Sequence, residues 1–342
     1  MRILAFPYKK NKESNPYNFL LYRAIEKSRV DIEISEFKLL KCFRLEYDIV
    51  HIHWPELYLN SNYFLKAFTF TMTFLLGLFW AKLWGKKIVW TIHNLKPHRI
   101  KYKLMDKVFW SVYFRLVDGC ISLSEANKLI AIRRYPFLTK LRHSVCLHGL
   151  YTDYYEDNVS RSDARKKLNI PADKKTFLFL GQIKPYKNVE KLINIFTDNA
   201  SFKDCILLIA GKFESIEYKN EVSALLERAE NIVLKEGFVE DQDLALYFRA
   251  SDAAIFPFKN IFNSGSVLLS LSFQTPAITP FTENFDEYSQ LVPGMIHQYT
   301  NSPEEKISRE FPLKSSIIIG AELEWQNIGL STVRFYSNLL NN

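Results

Sequence analysis

Two lysines, Lys184 and Lys187, lie in a short loop between a strand pattern and a helix pattern. The apolar run TFLFL ends at Gly181, and the amphipathic stretch VEKLINIF begins at Val189. Backbone amides at the start of a helix attract anions, and neighbouring lysines add positive charge. The loop therefore predicts a phosphate-binding site, with an ordinary loop of solvated lysines as the alternative. It matches neither GxxxxGK followed by Ser or Thr nor GxGxxG, which disfavours P-loop NTPases and dinucleotide dehydrogenases.

A second anion-binding pattern consists of Ser264, Gly265 and Ser266, directly before the apolar helix pattern VLLSLSF. Free amides and hydroxyls at that point can bind an anion, although a simple helix N-cap would explain the same residues. Two such helix starts in one half of the chain indicate a diphosphate rather than a single phosphate.

Histidines occupy or follow two strand patterns of the first half: His51 and His53 lie in DIVHIHW, and His93 follows KIVWTI. We expect His53, Glu56 and His93 to lie together at the carboxyl ends of neighbouring strands, where one of them would act as a general base. We expect His148, after the last strand pattern of this half, to reach the same place. For each histidine, a satisfied group in the core is the alternative.

The sequence predicts no metal site and no cofactor. We expect His51 and His53 to point to opposite faces of their strand, and no third ligand is spaced to join either of them. The chain has four widely separated cysteines: Cys42, Cys120, Cys146 and Cys205. Their spacing excludes a disulfide scaffold and a zinc ribbon, and it suits a reducing compartment.

Short apolar runs alternate with longer amphipathic stretches along the chain. The strand patterns of the first half are RILAF, DIVHIHW, KIVWTIH, GCISLS and VCLHG. Those of the second half are TFLFLG, ILLIAG, IVLKEGF, AAIFPF and PAITP. Strand–helix alternation predicts an α/β protein with parallel sheets covered on both faces. Two successive series predict two Rossmann-like domains that face a cleft.

A chain of 342 residues is too long for one ordinary core and suits two domains of about 150 residues each. We place the first domain at residues 1–157 and the second at 158–320, because the polar stretch NVSRSDARKKLNIPADKK marks the crossing. Functional loops follow the carboxyl ends of the strands in such folds, so we expect the site in the cleft between the domains.

The net charge of +8 comes from lysines and arginines scattered along the chain without a nucleic-acid-binding motif, so no nucleic-acid partner is predicted. Residues 63–85 are apolar over nearly the length of a membrane span, but Lys66 and Lys82 bracket a stretch that is short for one. We expect a core helix whose aromatic face docks on an anionic membrane. The opening residues are not typical of a signal peptide, so we expect a cytoplasmic protein, peripheral on the inner face of the cell membrane.

Four segments occur in a characteristic order: LGQIKPYKNVEKLINIF, LLIAGK, GFVEDQDLALYFRASDAAIFPF and FNSGSVLLSLSFQTPAITP. Together they resemble the donor domain of GT-B glycosyltransferases, close to glycosyltransferase family 4. DIVHIHWPE and GKKIVWTIHNLKPH resemble the acceptor domain of bacterial exopolysaccharide and capsule glycosyltransferases. Residues 321–342 resemble their closing helix, which packs back on the first domain. The resemblance covers nearly the whole chain.

The resemblance implies a metal-independent glycosyltransferase that moves a hexose from a UDP- or GDP-sugar to a saccharide acceptor, a lipid-linked intermediate in surface polysaccharide synthesis. It implies these donor-binding residues: Gly181, Lys184, Lys187, Gly211, Lys212, Phe238, Val239, Glu240, Ser264, Gly265 and Ser266. The two lysines and the Ser-Gly-Ser segment would hold the diphosphate, where charge builds on the departing phosphate. Phe238 to Glu240 would pack on the nucleobase.

The sequence departs from the family at several positions. Gln182 stands where the family commonly has arginine, and Asn188 replaces a glycine. Ile261 and Leu269 stand at the two positions of the Glu–seven residues–Glu signature, and residues 9–17 replace a glycine-rich loop. Because those glutamates contact the sugar in the family, a catalytically inactive relative that binds saccharide or acts as a scaffold is the alternative function.

The missing glutamates also leave the stereochemical outcome open. An inverting reaction needs a general base, for which we expect His53 or Glu56, with His93 contacting the transferred sugar. A retaining reaction needs no such base, and His93 would then remain the sugar contact.

Overall fold

The computed structural model describes residues 1–13, 15–29, 31–95, 100–152, 154–259, 262–307, 311 and 319–341. Parts of the predicted segments lie outside the described residues, namely Ser14, residues 96–98, Ile261 and Asn342. The chain divides into two compact units, Met1–Gly149 with Ala321–Asn342, and Leu150–Gly320.

The boundary between the units falls after Gly149, earlier than the predicted residue 157. The intervening segment belongs to the second unit because its residues bond there. The backbone N–H of Tyr151 donates to the Ser272 hydroxyl at 2.8 Å, and the Asp157 carboxylate accepts from the Arg249 guanidinium at 2.7 Å. The polar stretch that suggested the boundary instead contains the second unit's first helix, Arg161–Leu168, and the turn that follows it.

The strands, in chain order, are β1 (Arg2–Phe6), β2 (Glu33–Glu36), β3 (Ile49–Ile52), β4 (Lys87–Thr91), β5 (Gly119–Ser122), β6 (Arg142–Val145), β7 (Lys175–Leu180), β8 (Cys205–Gly211), β9 (Ile232–Glu236), β10 (Ala253–Ile255), β11 (Ala277–Pro280) and β12 (Ile296–Tyr299). They form two six-stranded parallel sheets, with orders β2-β1-β3-β4-β5-β6 and β12-β11-β10-β7-β8-β9. This confirms the predicted α/β class with two Rossmann-like units.

The helices, in chain order, are α1 (Tyr17–Ser28), α2 (Leu39–Arg44), α3 (Phe64–Leu83), α4 (Lys103–Leu116), α5 (Glu125–Arg134), α6 (Arg161–Leu168), α7 (Val189–Asp198), α8 (Ile216–Leu226), α9 (Leu244–Ala250), α10 (Gly265–Ser272), α11 (Glu283–Leu291) and α12 (Trp325–Leu340). The C-terminal helix α12 packs on α1, and its buried Phe335 and Leu339 join the core of the first unit, as predicted.

The sequence patterns did not predict the edge strands β2 and β12, and they placed the edge strand β6 too late in the sequence. β2 reads EISE and β12 reads IHQY, so neither shows the apolar run of a buried strand. The predicted strand VCLHG lies almost wholly after β6, whose own sequence, RHSV, is polar. Edge strands need less apolar sequence because fewer neighbours cover them, and hydrophobic patterning is therefore weak there.

Within the described part of the chain, α3 is the one helix that is long and apolar enough to cross a membrane. A stripe of α3 is buried against its own unit and includes Ala67, Phe74 and Leu78. Only 39% of its most apolar 18-residue stretch is buried, however, so much of its apolar surface faces outward. This burial pattern agrees with the predicted core helix that has an exposed aromatic face.

Candidate functional site

The predicted phosphate-binding segments follow two adjacent strands, β7 and β10. From β7 the chain continues to β8 and β9 on one side of the sheet, whereas β11 and β12 lie on the other side of β10. Where strand order reverses in this way, the loops diverge and open a crevice at the carboxyl ends of the strands. Ligands of parallel sheets bind in such crevices, and the lysine loop and the start of α10 flank this one.

Lys187 lies over Gly181, beside Ser266. Gly181 has a φ of +136°, and a Cβ at Gly181 would lie 2.9 Å from Lys187 Nζ and 3.8 Å from Ser266 Oγ. The missing side chain thus leaves room for the ammonium group. Asn188, in the left-handed conformation that a glycine would adopt, donates from Nδ2 to the carbonyl of Pro257 at 3.2 Å. This bond ties the lysine loop to the loop after β10.

Lys187 is buried, with 8% of its surface exposed. Burial, and then the proximity of Lys184, lowers the pKa of Lys187 to about 8. Its Nζ lies 5.2 Å from the ring centroid of Phe258, and no carboxylate pairs with it among the described residues. Lys184, in contrast, has its Nζ 3.6 Å from the Glu214 carboxylate. A buried cation without a counter-ion favours an anionic ligand.

Bare backbone lines the neighbouring strand ends. β8 ends at Gly211, where φ is +156° and a Cβ would lie 1.9 Å from the carbonyl oxygen of Gly181. The N–H of Gly237, after β9, donates to the Gly211 carbonyl at 3.0 Å. Lys212 is exposed, and its carbonyl accepts from the N–H of Ile183 at 2.9 Å. The close approach at Gly211 leaves no space for any side chain.

The Ser264 hydroxyl accepts a hydrogen bond from the Val267 N–H at 3.4 Å. Ser264 is therefore the N-cap of α10, as the N-cap alternative predicts. The first amides of a helix have no partner within the helix, so those of Gly265 and Ser266 can still receive an anion. Gly265 is exposed and Ser266 partly so. The cap and the anion site are therefore compatible.

Phe238, Val239 and Glu240 follow β9, the edge strand, and lie farther from the lysine loop in the sheet order. Phe238 is exposed, and Glu240 precedes the short 3-10 helix Asp241–Asp243. Within the described residues, no hydrogen bond, ion pair or ring contact joins them to Lys187. Their assignment to the nucleobase stays a prediction.

His51 and His53 lie on the same face of β3, so the predicted opposite orientation is wrong. Their ring centroids are 4.3 Å apart, and both rings contact the Tyr22 hydroxyl. Alternate residues of a strand share a face, so the argument from opposite faces against a shared metal ion does not hold. The ring nitrogens of both histidines are engaged in hydrogen bonds.

One continuous set of hydrogen bonds, the histidine cluster, joins Thr91, His51, Tyr22, His53 and His93. His51 Nε2 lies 2.7 Å from Thr91 Oγ1, and its Nδ1 lies 2.9 Å from the Tyr22 hydroxyl. The same hydroxyl lies 2.8 Å from His53 Nε2, and His53 Nδ1 lies 2.9 Å from His93 Nε2. Burial lowers the pKa of His51 to about 3 and holds the pKa values of His53 and His93 well below the ordinary range. All three rings are therefore neutral at pH 7.

Two further residues complete the cluster. Tyr336 of α12 places its hydroxyl 2.6 Å from His51 Nδ1. The Tyr17 ring packs against His93 and His148, at centroid distances of 4.9 Å and 4.6 Å. The structure thus brings His148 beside the other histidines, as predicted.

Glu56 lies in the short 3-10 helix Pro55–Asn60. Burial, and then the neighbouring Asp106, raises the pKa of Glu56 to about 7. Its charge also acts on Tyr113 of α4. No hydrogen bond among the described residues joins Glu56 to His53 or His93. Of the three predicted catalytic residues, the structure therefore brings the two histidines into contact and leaves Glu56 beside α4.

Sequence reasoning missed Tyr22, Thr91 and Tyr336. Buried polar groups need hydrogen-bond partners, so two histidines on one strand face already call for donors on neighbouring elements. Tyr22, on the apolar face of α1, and Thr91, on the adjacent strand, meet that requirement. Tyr336 lies 285 residues from its partner, and no local pattern points to it.

Comparison with known proteins identifies a domain in the second unit. Residues 160–288 match the family described as "Glycosyl transferases group 1". A GDP-mannose:glycolipid 4-beta-D-mannosyltransferase of Xanthomonas campestris pv. campestris is 26% identical over 298 residues, which is 87% of this chain and 79% of that protein. Residues 160–288 are a group 1 glycosyltransferase domain.

Solved structures agree on the fold of this glycosyltransferase. Sucrose-phosphate synthase from Thermosynechococcus elongatus matches 100% of this chain and 99% of its own, with a TM-score of 0.68 at 13% identity. Anabaena HepE, in complex with UDP and glucose, matches 100% of this chain and 93% of its own, with a TM-score of 0.63 at 14% identity. The lysine loop and α10 lie within the matched family region, whereas the histidine cluster and Glu56 lie outside it.

Proposed function

We propose that this glycosyltransferase moves mannose from GDP-mannose to a lipid-linked saccharide. The Xanthomonas relative carries that donor and a glycolipid acceptor in its name, and the similarity spans most of both chains. Anabaena HepE shows a nucleoside diphosphate bound in the same fold. Both findings support a nucleoside-diphosphate sugar as the donor.

The observation that carries the proposal is the unpaired, buried ammonium group of Lys187 at the crevice between β7 and β10. A diphosphate between Lys187 and the first amides of α10 would complete the charge balance there. The bare backbone at Gly181 and Gly211 would let the ligand approach the sheet closely.

The transfer reaction sets two tasks for the protein, stabilising the leaving group and removing a proton from the acceptor. The acceptor oxygen forms a bond to C1 of the hexose while the bond from C1 to the diphosphate oxygen breaks, and the electron pair leaves with the nucleoside diphosphate. Lys187 and the α10 amides offset the charge that develops on this leaving group. The relative's name specifies a β-linked product, and the donor sugar of GDP-mannose is α-linked. We therefore propose inversion, in which a base takes the proton of the acceptor hydroxyl.

Calorimetry with GDP, UDP and CMP tests the donor site directly. The proposal expects GDP to bind most tightly, and GDP to be released from GDP-mannose when lipid-linked saccharide is added. Nucleotide binding without hydrolysis or transfer would favour the inactive saccharide-binding or scaffold alternative. Absence of binding by all three nucleotides would overturn the proposal.

We also propose that α3 docks the protein on the inner face of an anionic membrane. Exposed apolar residues repeat along one face of α3 at helical spacing: Leu65, Phe68, Leu76, Phe79 and Leu83. Exposed basic residues lie on α3 and on its packing neighbours α2 and α4: Lys41, Arg44, Lys66, Lys103 and Lys107. Each basic residue near an anionic surface contributes about 1 kcal/mol, so apolar insertion and charge act together. Such docking would bring the enzyme to a lipid-linked acceptor.

Vesicle co-sedimentation tests the docking. We expect binding to vesicles with anionic lipid, loss of binding at high salt, and loss in a Leu76→Glu, Phe79→Glu double variant. Leu129→Glu, an exposed position on α5 of the same unit, is the matched control. Resistance of the bound protein to both high salt and alkaline washing would show a spanning helix instead. Absence of binding to anionic vesicles at low salt would leave α3 as an ordinary core helix.

A further inference from the structure

We propose that a pocket of the second unit, the tyrosine pocket, binds an uncharged saccharide, namely the part of the acceptor chain that lies away from the reacting hydroxyl. The pocket is a cavity of about 410 Å³, lined by described residues of the segments 151–158 and 272–274. Small-molecule sites have volumes of about 300–1,000 Å³, so this cavity is large enough for a ligand. The inference deepens the proposed transfer reaction and rests on it for the role of the saccharide.

A stack of aromatic rings forms one wall of the tyrosine pocket. The Phe273 ring stacks with Phe248 and with Tyr155, at centroid distances of 4.9 Å and 6.2 Å. Phe248 and Phe273 are buried, whereas Tyr155 is partly exposed and lines the pocket. The Tyr154 ring packs against Tyr155 at 83°, with 4.8 Å between the centroids. Because its neighbours already hold the Tyr155 ring, a ligand that packs on it would cost little side-chain entropy.

Polar side chains that line the pocket with Tyr155 have no partner in the part of the chain that the structure describes. No hydrogen bond or ion pair engages the Tyr155 hydroxyl, the Glu156 carboxylate, or the side-chain amides of Asn158 and Gln274. An amide both donates and accepts hydrogen bonds, a carboxylate accepts them, and a phenol does either. The hydroxyl groups of a sugar also donate and accept, so a saccharide can bond to all of these groups.

The charge of the tyrosine pocket disfavours an anionic ligand. Its described lining residues include two carboxylates, Glu156 and Asp157, and no lysine, arginine or histidine. The guanidinium of Arg249 donates to the Asp157 carboxylate at 2.7 Å and offsets its charge. The unpaired Glu156 would still repel a phosphate or a sugar acid. The negative face of an aromatic ring attracts the C–H groups of a sugar, so a neutral saccharide fits both the ring and the charge.

Tyr151 connects the tyrosine pocket with the start of α10. Its N–H donates to the hydroxyl of Ser272, the last residue of α10, at 2.8 Å. A Cβ at Gly265, the first residue of α10, would lie 3.5 Å from the Tyr151 hydroxyl oxygen. The 8 residues of α10 span about 12 Å. A saccharide in the pocket would therefore lie close to the diphosphate proposed at the start of α10, which suits an acceptor chain whose end reacts at the donor.

Saturation-transfer NMR titrations of the full-length protein, without nucleotide, test the tyrosine pocket. The probes are three neutral disaccharides (β-1,4-linked mannobiose, cellobiose and lactose), the cation putrescine and inorganic phosphate. We expect transfer to at least one disaccharide and none to putrescine. Tyr155→Ala removes the ring and Asn158→Ala removes an amide, and we expect each to weaken disaccharide binding about tenfold. In turnover assays, each should raise KM for the acceptor by the same factor and leave KM for GDP-mannose unchanged.

Phe281→Ala is the matched control, because Phe281 is an aromatic residue of the same unit, has 57% of its surface exposed and does not line the pocket. It should bind disaccharide like the parent. Asn158 is exposed, so its variant decides the question if Tyr155→Ala fails to fold. Absence of transfer to every disaccharide, transfer to putrescine alone, or equal affinity in the parent and both pocket variants would overturn the inference. Disaccharide binding without GDP binding or GDP-mannose turnover would overturn only the proposed function.

Discussion

The hydroxyl of Tyr336 lies 2.6 Å from Nδ1 of His51, although 285 residues of sequence separate them. The contact makes the C-terminal helix α12 part of the same hydrogen-bonded network as β3 and α1. Removing a partner from a buried polar group costs about 1–3 kcal/mol when the group is left unsatisfied. α12 therefore contributes both apolar packing and a specific hydrogen bond to the first unit.

Lys187→Met tests the diphosphate site, because it removes the charge and keeps the aliphatic stem. We expect GDP to bind about 10- to 100-fold more weakly, the range for losing a charge-assisted hydrogen bond. Since the pKa of Lys187 is about 8, its charge is lost as pH rises through 8, and GDP binding by the parent should weaken there. Calorimetry at several pH values measures both effects. Lys203→Met, at an exposed position of the same unit, is the control, and equal affinities of the two variants would contradict the assignment.

Glu56→Gln tests the proposed base. A base must be ionised, so the rate should rise with pH through about 7, the pKa of Glu56. The ionisable groups that face it are Asp106, Tyr113 and Tyr135. We expect Glu56→Gln to lower kcat by about 100- to 10,000-fold and to leave GDP binding unchanged.

Asp106→Asn supplies the matched variant for this pH profile. Asp106 raises the pKa of Glu56, so its neutralisation should move the rising limb to lower pH while activity is retained. A profile that does not move, or near-parental turnover in Glu56→Gln, would place the base elsewhere.

Buried neutral histidines should make stability depend on pH. Burial depresses the pKa values of His51, His53, His93 and His148, so the unfolded chain binds more protons than the folded one below pH 6.5. Each group then contributes up to about 1.4 kcal/mol per pH unit. Glu56 acts in the opposite direction, because its pKa is raised, but one group cannot offset four.

The free energy of unfolding should therefore fall as pH is lowered from 7 to 5. Chemical denaturation at several pH values measures the slope. His148→Asn should reduce that slope by about one proton while the other histidines remain. A slope that is unchanged in this variant, or a stability that does not fall below pH 6.5, would contradict the buried neutral state.

Gly211→Ala should destabilise the second unit severely. A Cβ there would lie 1.9 Å from the carbonyl oxygen of Gly181, in addition to the strain of a φ of +156°. Gly237→Ala is the matched control, since φ is +133° but no atom lies within 4 Å of its Cβ. We expect about 1–3 kcal/mol for the control, from backbone strain alone, and more for Gly211→Ala. Thermal unfolding would compare them, and equal losses would show that the sheet adjusts.

Sequence patterns predicted the buried part of this fold better than its edges. Central strands such as β7 and β8 are apolar runs because both faces are covered, whereas β2 and β12 have polar sequences. The lysine loop was predicted because its chemistry is local: a strand end, two lysines and a helix start lie within a few residues. The meeting of Lys187 with Ser266 depends on strand order, which the pattern alone does not give.

The histidine cluster shows the opposite case. The residues His53 and His93 were predicted, but the partners that determine their protonation come from α1, β4 and α12. One error was avoidable, because residues two apart on a strand share a face and His51 should have been placed beside His53. The contribution of Tyr336 depends on a contact between two residues that lie 285 positions apart in the sequence.

The placement of α12 also fixes an order of events during protein synthesis. Residues 1–149 leave the ribosome before the second unit, but the helix that completes their core, Trp325–Leu340, is made after the second unit. The second unit is one continuous segment, Leu150–Gly320, and has its full sequence before that helix exists. Domains of a growing chain fold as units once their sequence is available. In this chain the second unit can therefore finish folding first, while the apolar surface of α1 that α12 covers stays open until α12 has been made.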